Sequence, residues 1–296
     1  MKSGFIAVAG RPNVGKSTLV NALTEAKVAI VSPIPHTTRH RITGVWTGNR
    51  TEGSNGQPAA QLVLVDLPGW QRPIDELTAR MQDRVEKTIT NDLDAVMLVL
   101  NARERIGAGD RHVARSVFAL GVPVVIVLNK VDRLKAGHIA TQMKAAAPLG
   151  NFHALHPVSA MTGDGIDELR DDLIFLLPEG PQYYPTGEVT DMSVEARIAE
   201  LVREQALKLT REEVPHALTA EVIEIEDGHV HVRLYTETES QKMIMIGKGG
   251  SVVREIGRWA RPGIEEILGR KIYLQLQVKA SPKWRRNETM LERLGL

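Results

Sequence analysis

Two hydrophobic patterns alternate along residues 3–177. Short runs of apolar residues are typical of buried β-strands, and the stretches between them repeat apolar residues at helical spacing. Strands are predicted near residues 4–9, 42–48, 61–66, 94–100, 123–129 and 153–158, and helices near 16–25, 75–91, 109–120, 138–147 and 165–177. Strands that alternate with helices favour crossover connections, so we predict an α/β domain with a mostly parallel sheet and helices on both faces.

The pattern changes after the last of these helices, where prolines and glycines cluster as in a linker. Beyond them we predict a helix near 193–210, strands near 217–226 and 229–236 turned at Asp227-Gly228, a short helix ending at Ile246, a second helix from Ser251 and a strand over 271–279. This α-β-β-α-α-β order predicts a smaller α+β domain. We therefore assign residues 1–178 to the first domain, 179–192 to a linker and 193–296 to the second domain.

Two local features modify this outline. The polar, glycine-containing run Arg50–Ala60 has the composition of a hairpin loop, and we assign it no chemistry. In the second domain, Arg261-Pro262-Gly263 falls inside the helix that starts at Ser251. Proline lacks a backbone donor, so we expect Pro262 to kink or split that helix.

Charge is distributed unevenly along the chain, although the net formal charge is only +1. Residues 179–239 carry 5 Lys and Arg against 14 Asp and Glu, which gives −9; residues 240–286 carry 11 against 3, which gives +8. A strongly basic block in a nearly neutral chain indicates a surface for a polyanion, although an evenly solvated charged face is a common alternative.

Cysteine is absent, which excludes disulfides, thiolate zinc sites and cysteine nucleophiles and fits a reducing cytosolic compartment. The N-terminus has no signal-peptide layout, and apolar runs such as Val122–Leu128 are shorter than the roughly 18 residues that span a bilayer. We expect any membrane contact to be peripheral.

A phosphate-binding loop is predicted where the first strand ends, because the sequence there fits the pattern G-x-x-x-x-G-K-S. The loop and the start of the next helix consist of Gly10, Arg11, Pro12, Asn13, Val14, Gly15, Lys16, Ser17 and Thr18. In such a loop, backbone N–H groups face phosphate oxygens, the lysine reaches the β- and γ-phosphates, and the serine ligates Mg²⁺. A glycine-rich turn without this chemistry is the alternative.

Two further stretches are suited to sense a γ-phosphate. Ser32–Arg39 contains two prolines and adjacent threonines, and we prefer Thr38 slightly over Thr37 as a Mg²⁺ ligand; a proline-rich connector is the alternative. At the end of the third strand, Asp66 can hold Mg²⁺ through water, and the stretch continues with Leu67, Pro68 and Gly69, whose N–H can meet the γ-phosphate.

The base-reading residues follow the fifth and sixth strands. In Asn129-Lys130-Val131-Asp132, the Asp132 carboxylate can accept from guanine N1–H and N2–H₂, and Asn129 can bond the O6/N7 edge. Adenine would leave Asp132 unpaired, which is costly. Ser159-Ala160 can place a backbone N–H against guanine O6. Each motif alone also fits ordinary loop residues, but the four in order predict a GTP site.

These motifs resemble those of translation-factor-type GTPases, and Gly-x-Pro-Asn-x-Gly-Lys-Ser together with Thr-Thr-Arg is similar to the Era family. The resemblance implies GTP hydrolysis to GDP with Mg²⁺ and catalytic roles for Asn13, Lys16, Thr38 and Gly69. Asn13 resembles an asparagine that holds K⁺ in related GTPases. The chain has Trp70 where Ras-like enzymes carry a water-positioning glutamine, so we expect slow intrinsic turnover.

The basic block contains Gly247-Lys248-Gly249-Gly250 between its two predicted helices. This Gly-x-x-Gly loop resembles the one with which KH domains clamp single-stranded RNA, and the element order fits a type II KH domain. The predicted RNA-binding residues are Ile246, Gly247, Lys248, Gly249, Gly250 and Arg254. A plain bend between two helices is the alternative.

A GTPase domain followed by this KH domain resembles the Era family over essentially the whole chain. The resemblance implies a cytoplasmic, monomeric ribosome-assembly GTPase that binds the 3′ end of 16S rRNA in the small subunit and contacts the inner face of the cell membrane peripherally. Two alternatives stay open: an RNA-modification or membrane-signalling GTPase with another RNA or partner, and a passive RNA-binding module. The intact nucleotide motifs argue against the passive module.

Overall fold

The structure is a computed structural model that describes residues 1–32, 42–48, 60–66, 77, 79–80, 93–210 and 213–295. The residues fall into two compact units. In the described ranges, the first unit contains residues 1–29, 42–48, 60–66 and 93–191, and the second contains 30–32, 77, 79–80 and 192–295. Most of the predicted loop at 50–60 and of the predicted helix near 75–91 lies outside the described residues.

The first unit is built on a six-stranded sheet. Its described elements are β1 (Lys2–Ala9), α1 (Lys16–Thr24), β2 (Ile42–Gly48), β3 (Ala60–Asp66), β4 (Ala95–Asn101), α2 (Ala108–Phe118), β5 (Val124–Asn129), α3 (Ala136–Ala146), β6 (Ala154–Val158) and α4 (Ile166–Leu176). The strand order is β2-β3-β1-β4-β5-β6, and only the β2–β3 pair is antiparallel. The central strands are buried along their length because both faces are covered, which confirms the predicted α/β architecture.

The strand register brings the predicted motifs to one edge of the sheet. Val8, just before the phosphate loop, is in register with Asp66 on β3, and Asn101 is in register with Asn129 at the end of β5. Asn129 is in turn paired with Val158, directly before Ser159. Parallel strands place their carboxyl ends on the same side, so residues far apart in sequence become neighbours there.

The chain after α4 stays against the first unit. Ser3 N–H donates to the Pro178 carbonyl (3.1 Å), and the side-chain oxygen of Gln61 accepts from the backbone N–H groups of Tyr183 (2.8 Å) and Tyr184 (3.0 Å). Val45 N–H donates to the Val189 carbonyl at 2.8 Å. The predicted domain limits at 178 and 193 stay a prediction.

The second unit contains a three-stranded sheet and helices. Its described elements are α5 (Val194–Leu209), α6 (Val214–Ala217), β7 (Thr219–Glu226), β8 (His229–Thr236), α7 (Glu239–Ile246), α8 (Ser251–Leu268), β9 (Tyr273–Ala280) and α9 (Glu288–Arg293). The order is β7-β8-β9, with β7–β8 antiparallel and β8–β9 parallel. Its core contains the fully buried side chains Ile198, Val202, Val232, Leu234, Ile256 and Ile264. The predicted α-β-β-α-α-β order is confirmed, with α6 and α9 as additions.

The expected split of α8 at Pro262 is wrong, because the helix runs from Ser251 to Leu268 with Pro262 inside it, and a kink there stays a prediction. The missing N–H would have bonded the carbonyl of Arg258, four residues earlier. Both residues lie on the exposed side of the helix, where water can take the place of that hydrogen bond.

Among the residues that the structure describes, no helix combines the length and apolarity that a bilayer crossing needs.

Candidate functional site

The predicted phosphate loop connects β1 to α1. Pro12 and Asn13 form its turn, Val14 is buried, and α1 starts at Lys16, so that Ser17 and Thr18 lie in the first helical turn. Gly15 has a φ of 99°, and a Cβ there would lie 2.4 Å from Asn129 Nδ2. Only glycine fits both the backbone and the space at this position. The start of α1 presents backbone N–H groups and a positive dipole end to an anion.

Lys16 is buried inside the loop that it follows. Its Nζ donates to the carbonyls of Gly10 and Arg11, each at 3.1 Å. Burial lowers the pKa of Lys16, and the charge of Asp66 opposes that effect. A buried ammonium held by neutral carbonyls can stabilise phosphate charge strongly, because little water screens it.

The structure brings two of the three predicted Mg²⁺ ligands together. Ser17 Oγ donates to Asp66 Oδ2 at 2.7 Å, although the residues are 49 positions apart in sequence. A hydroxyl and a carboxylate are hard oxygen donors that suit Mg²⁺, which takes few protein ligands and several phosphate or water oxygens. No group of three or more His, Cys, Asp or Glu side chains able to hold a metal occurs in the described ranges. Thr38, the third predicted ligand, lies outside them, as do Leu67, Pro68 and Gly69.

Asn129 joins the base motif to the phosphate loop. Its Nδ2 donates to the Val14 carbonyl at 3.0 Å, and its Oδ1 accepts from Lys130 N–H (2.8 Å) and Ala160 N–H (3.1 Å). Lys130 makes a second bridge, because its Nζ donates to the Asn13 carbonyl at 2.5 Å; burial lowers the pKa of Lys130. These contacts fix the base motif against the phosphate loop, a bridging role that the sequence reasoning missed.

Asp132, the predicted base acceptor, lies in a short 3-10 turn, Val131–Arg133, after β5. Ser159 Oγ donates to its Oδ1 at 3.2 Å, so the two sequence-predicted base elements meet. Arg103 Nη2 donates to its Oδ2 at 2.7 Å. No motif in the sequence points to Arg103.

Arg11 is anchored to the loop after β4 and to α2. Its guanidinium donates to Asp110 Oδ2 (3.0 Å) and Glu104 Oε2 (3.3 Å), and the hydrogen bond with Asp110 raises the pKa of Arg11. Asp110 is buried and also accepts from Gly107 N–H at 2.9 Å. Arg11 therefore links the phosphate loop to the loop after β4 and to α2.

The predicted RNA loop of the second unit connects α7, which ends at Ile246, to α8. Gly247 and Gly250 have φ values of 72° and 77°, which favour glycine. Arg254 Nη2 donates to the Gly249 carbonyl at 2.9 Å, and its Nε donates to the Gly250 carbonyl at 3.2 Å. Lys248 is exposed. The start of α8, the cation of Arg254 and Lys248 give this loop the features of an anion site.

Two apolar side chains that the sequence reasoning did not single out lie one helical turn before this loop. Met243 is 63% exposed and Ile244 is 48% exposed. Exposed apolar groups beside a basic loop suit contact with unstacked bases.

Comparisons with known proteins agree with a GTPase domain in the first part of the chain and a KH domain in the second. Residues 5–130 match the family model of a 50S ribosome-binding GTPase, and residues 209–285 match a KH domain model. The protein named GTPase Era of Mycobacterium tuberculosis (strain ATCC 25177 / H37Ra) is 43% identical over 304 residues, covering 99% of this chain and 98% of the relative; its Mycobacterium bovis BCG Pasteur counterpart gives the same values.

Two solved structures resemble the chain over its whole length. One is a substituted form of Aquifex aeolicus Era, bound to GDP and AlF₄⁻; it has a TM-score of 0.92, 34% identity, and coverage of 100% of this chain and 99% of that chain. The other is Era in complex with MgGDPNP and nucleotides 1506–1542 of 16S ribosomal RNA, with a TM-score of 0.91, 34% identity and the same coverage. The predicted pairing of a phosphate-loop GTPase domain with a KH domain is confirmed.

Proposed function

The chain belongs to the Era family of GTPases, and on that premise we propose that it is an RNA-binding switch in small ribosomal subunit assembly, which binds 16S rRNA near its 3′ end. The observation that supports the proposal is that two sets of predicted site residues come together in one chain. Ser17 contacts Asp66 and Ser159 contacts Asp132 in the first set, and Arg254 contacts the glycine loop of the KH domain in the second.

In the nucleotide site, different residues would contact the phosphates, the metal and the base. Lys16 and the N–H groups at the start of α1 would hold the β- and γ-phosphates, Ser17 and Asp66 would hold Mg²⁺, and Asp132 would accept from guanine. When bound, Mg²⁺ neutralises charge on the phosphate oxygens. Trp70 follows Gly69 in the sequence and offers no amide to orient a water molecule, so turnover depends on positioning and charge neutralisation.

Asn13 is our candidate for a second cation site. It lies in the turn of the phosphate loop with a φ of 63°, and its carbonyl accepts from Lys130 Nζ. A K⁺ ion held by its side chain against the phosphates would act in the manner of an arginine finger.

In the KH domain, the backbone carries the first contact with RNA. Gly247 and Gly250 permit close approach of the phosphates, while Lys248 and Arg254 supply positive charge. Ile246, Met243 and Ile244 offer apolar surface for bases.

We extend the proposal to the cellular setting that the family resemblance implies. The protein acts in the cytoplasm as a monomer and contacts the inner face of the cell membrane peripherally. The cysteine-free composition fits a reducing compartment.

The identity of the bound RNA tests the proposal. The full chain is crosslinked to RNA in a cell lysate, and the attached RNA is sequenced, with the Gly250→Asp variant as the matched control. We expect reads from the 3′ end of small-subunit rRNA that are depleted in the variant. Dominant transfer-RNA reads would instead favour an RNA-modification GTPase.

A further inference from the structure

The loop that follows β4 braces both halves of the nucleotide site. This bracing loop, Ala102–Gly107, is joined to the base motif by Ala102 N–H, which donates to the Asn129 carbonyl at 2.9 Å. It is joined to the phosphate loop by Glu104, which accepts from Arg11 at 3.3 Å. The two residues of the bracing loop that make these contacts, Ala102 and Glu104, belong to none of the GTPase motifs.

Arg103 makes the strongest contact from the bracing loop to the base motif. Its Nη2 donates to Asp132 Oδ2 at 2.7 Å, and its Nε donates to the Lys130 carbonyl at 3.3 Å. Two donors of one rigid guanidinium thus fix the carboxylate relative to a backbone atom two residues earlier. The side chain of Asp132 is only 10% exposed, which makes this charge-assisted bond stronger than an ordinary surface pair.

Reading guanine demands a particular orientation of the Asp132 carboxylate. Both oxygens must lie near the plane of the base to accept from N1–H and N2–H₂, but a carboxylate rotates broadly about its terminal bond. Arg103 holds Oδ2, and Ser159 holds Oδ1. A carboxylate has about four lone-pair sites, so each oxygen keeps one for the base and Arg103 need not leave.

We propose that Arg103 is a positioning residue for guanine specificity, which acts by fixing the orientation of Asp132. The inference concerns the nucleotide site and does not depend on the identity of the RNA. It assigns the bracing loop a role in the choice of nucleotide.

The test compares three nucleotides on the full-length protein with Mg²⁺. GDP offers both N1–H and the 2-amino group, inosine diphosphate lacks the 2-amino group, and xanthosine diphosphate has an oxygen there. In Arg103→Ala we expect GDP affinity to fall about tenfold, as for the loss of one charge-assisted contact. Inosine diphosphate should lose less, so the ratio of GDP to inosine diphosphate affinity narrows.

Arg133→Ala is the matched control. Arg133 Nε lies 3.8 Å from the same carboxylate oxygen, and its side chain is 80% exposed. The variant removes the same charge near Asp132 but no hydrogen bond, so the affinity ratio should stay as in the unaltered protein. If the ratio of GDP to inosine diphosphate affinity narrows equally in Arg103→Ala and Arg133→Ala, the effect is one of general charge and the proposal is overturned.

A conservative variant keeps the test decisive if Arg103→Ala does not fold. Arg103→Lys keeps the positive charge but cannot bridge both acceptors, so its affinity ratio should lie between those of the unaltered protein and Arg103→Ala. A uniform loss of affinity for all three nucleotides would show that Arg103 only maintains the loop. A gain in GDP affinity would show that it competes with the base, and either result refutes the proposal.

Discussion

The glycine loop of the KH domain allows a sharp test of RNA binding through Gly250→Asp. Gly250 has a φ of 77°, and among the described residues a Cβ at this position would meet only Val253 Cγ1, at 4.0 Å. The domain therefore has room for a side chain. The left-handed backbone costs about 1–2 kcal/mol for most residues and less for Asp or Asn, so the variant should fold.

The new carboxylate should weaken RNA binding in two ways. At about 4 Å from a phosphate, it repels by about 1 kcal/mol in water and about 4 kcal/mol at an effective dielectric constant of 20, which corresponds to roughly 5-fold to 1,000-fold weaker binding. It also lies beside Arg254, whose Nε donates to the Gly250 carbonyl at 3.2 Å. Neutralising that cation removes one contact that releases a counterion. The slope of the logarithm of the RNA-binding constant against the logarithm of the salt concentration should therefore become less steep by about 0.7.

Fluorescence anisotropy with single-stranded RNA from the 3′ end of small-subunit rRNA, over a salt series, measures both effects. Gly250→Asn makes the same backbone demand without the charge and should bind more tightly than Gly250→Asp. Gly269→Asp adds the same charge at the far end of α8, where φ is 65° and no atom of the described part of the chain lies within 4 Å of an added Cβ. GTP affinity should be unchanged in all three variants.

Two results would refute this reasoning. Normal RNA binding by Gly250→Asp would mean that the loop is only a bend between α7 and α8. An equal loss in Gly269→Asp would mean that net charge, rather than the loop, controls affinity.

Three further predictions concern the nucleotide site and its connection to RNA. Asp132→Asn should lower GTP affinity by about 2–5 kcal/mol and admit xanthosine triphosphate, whose 2-oxo group suits an amide donor; competition binding measures both, and an undiminished preference for GTP would contradict the assignment. K⁺ should raise GTP turnover above that in Na⁺ at equal ionic strength, and Asn13→Ala should abolish the difference; equal rates in the two salts for the unaltered protein would exclude the ion site. RNA affinity should differ by about 5–150-fold between a non-hydrolysable GTP analogue and GDP, and RNA must shift the nucleotide affinities equally. Glu204→Ala, which removes the side chain that accepts from Val31 N–H at 3.1 Å, should narrow that difference. Lys208→Ala removes only the ion pair of Lys208 with Glu204 (3.6 Å) and should leave the difference as it is; equal RNA affinities in both nucleotide states would show that the units do not communicate.

Much of the nucleotide site could be predicted because its parts lie at strand ends. A parallel sheet places Asp66 beside Ser17 and Ser159 beside Asp132 whatever the intervening loops do. The apolar pattern fixes the strands, and the motif residues follow them directly. The same logic does not reach residues on loops that carry no motif.

The contact between Arg103 and Asp132 could not be predicted from the sequence. Charged residues on loops are usually solvated, and nothing in the chain marks Arg103 as a partner of Asp132, 29 residues later. Asp110 on α2 is likewise unmarked by any motif, and it pairs with Arg11 of the phosphate loop, 99 residues away. Pairs of this kind depend on the final packing of loops, which local pattern does not encode.

The two tryptophans of the KH domain make the same point about burial. Trp284 is fully buried, and its Nε1 donates to the Ala217 carbonyl at 2.7 Å, which fits the usual core role of tryptophan. Trp259 is 57% exposed on α8, against that expectation. Composition does not separate the two cases, because burial is set by which face of an element the residue occupies.

The predicted coupling has a candidate route where the chain first passes from one unit to the other. Asn21 fixes the end of the first segment of the first unit, since its Oδ1 accepts from Ala29 N–H at 2.8 Å and its Nδ2 donates to the Ala29 carbonyl at 2.8 Å. The next residue, Ile30, is buried in the core of the second unit, and Val31 N–H donates to Glu204 on α5 at 3.1 Å.

One peptide bond therefore separates a segment fixed near α1 from one fixed by the KH domain, and the predicted switch begins immediately after it, at Ser32. We expect a change of the switch with nucleotide state to affect RNA binding through this connection, and linkage then requires RNA to favour one nucleotide in return. Glu204→Ala removes the acceptor of the Val31 N–H on the KH side. Its effect on RNA affinity therefore separates coupling through this connection from two independent domains.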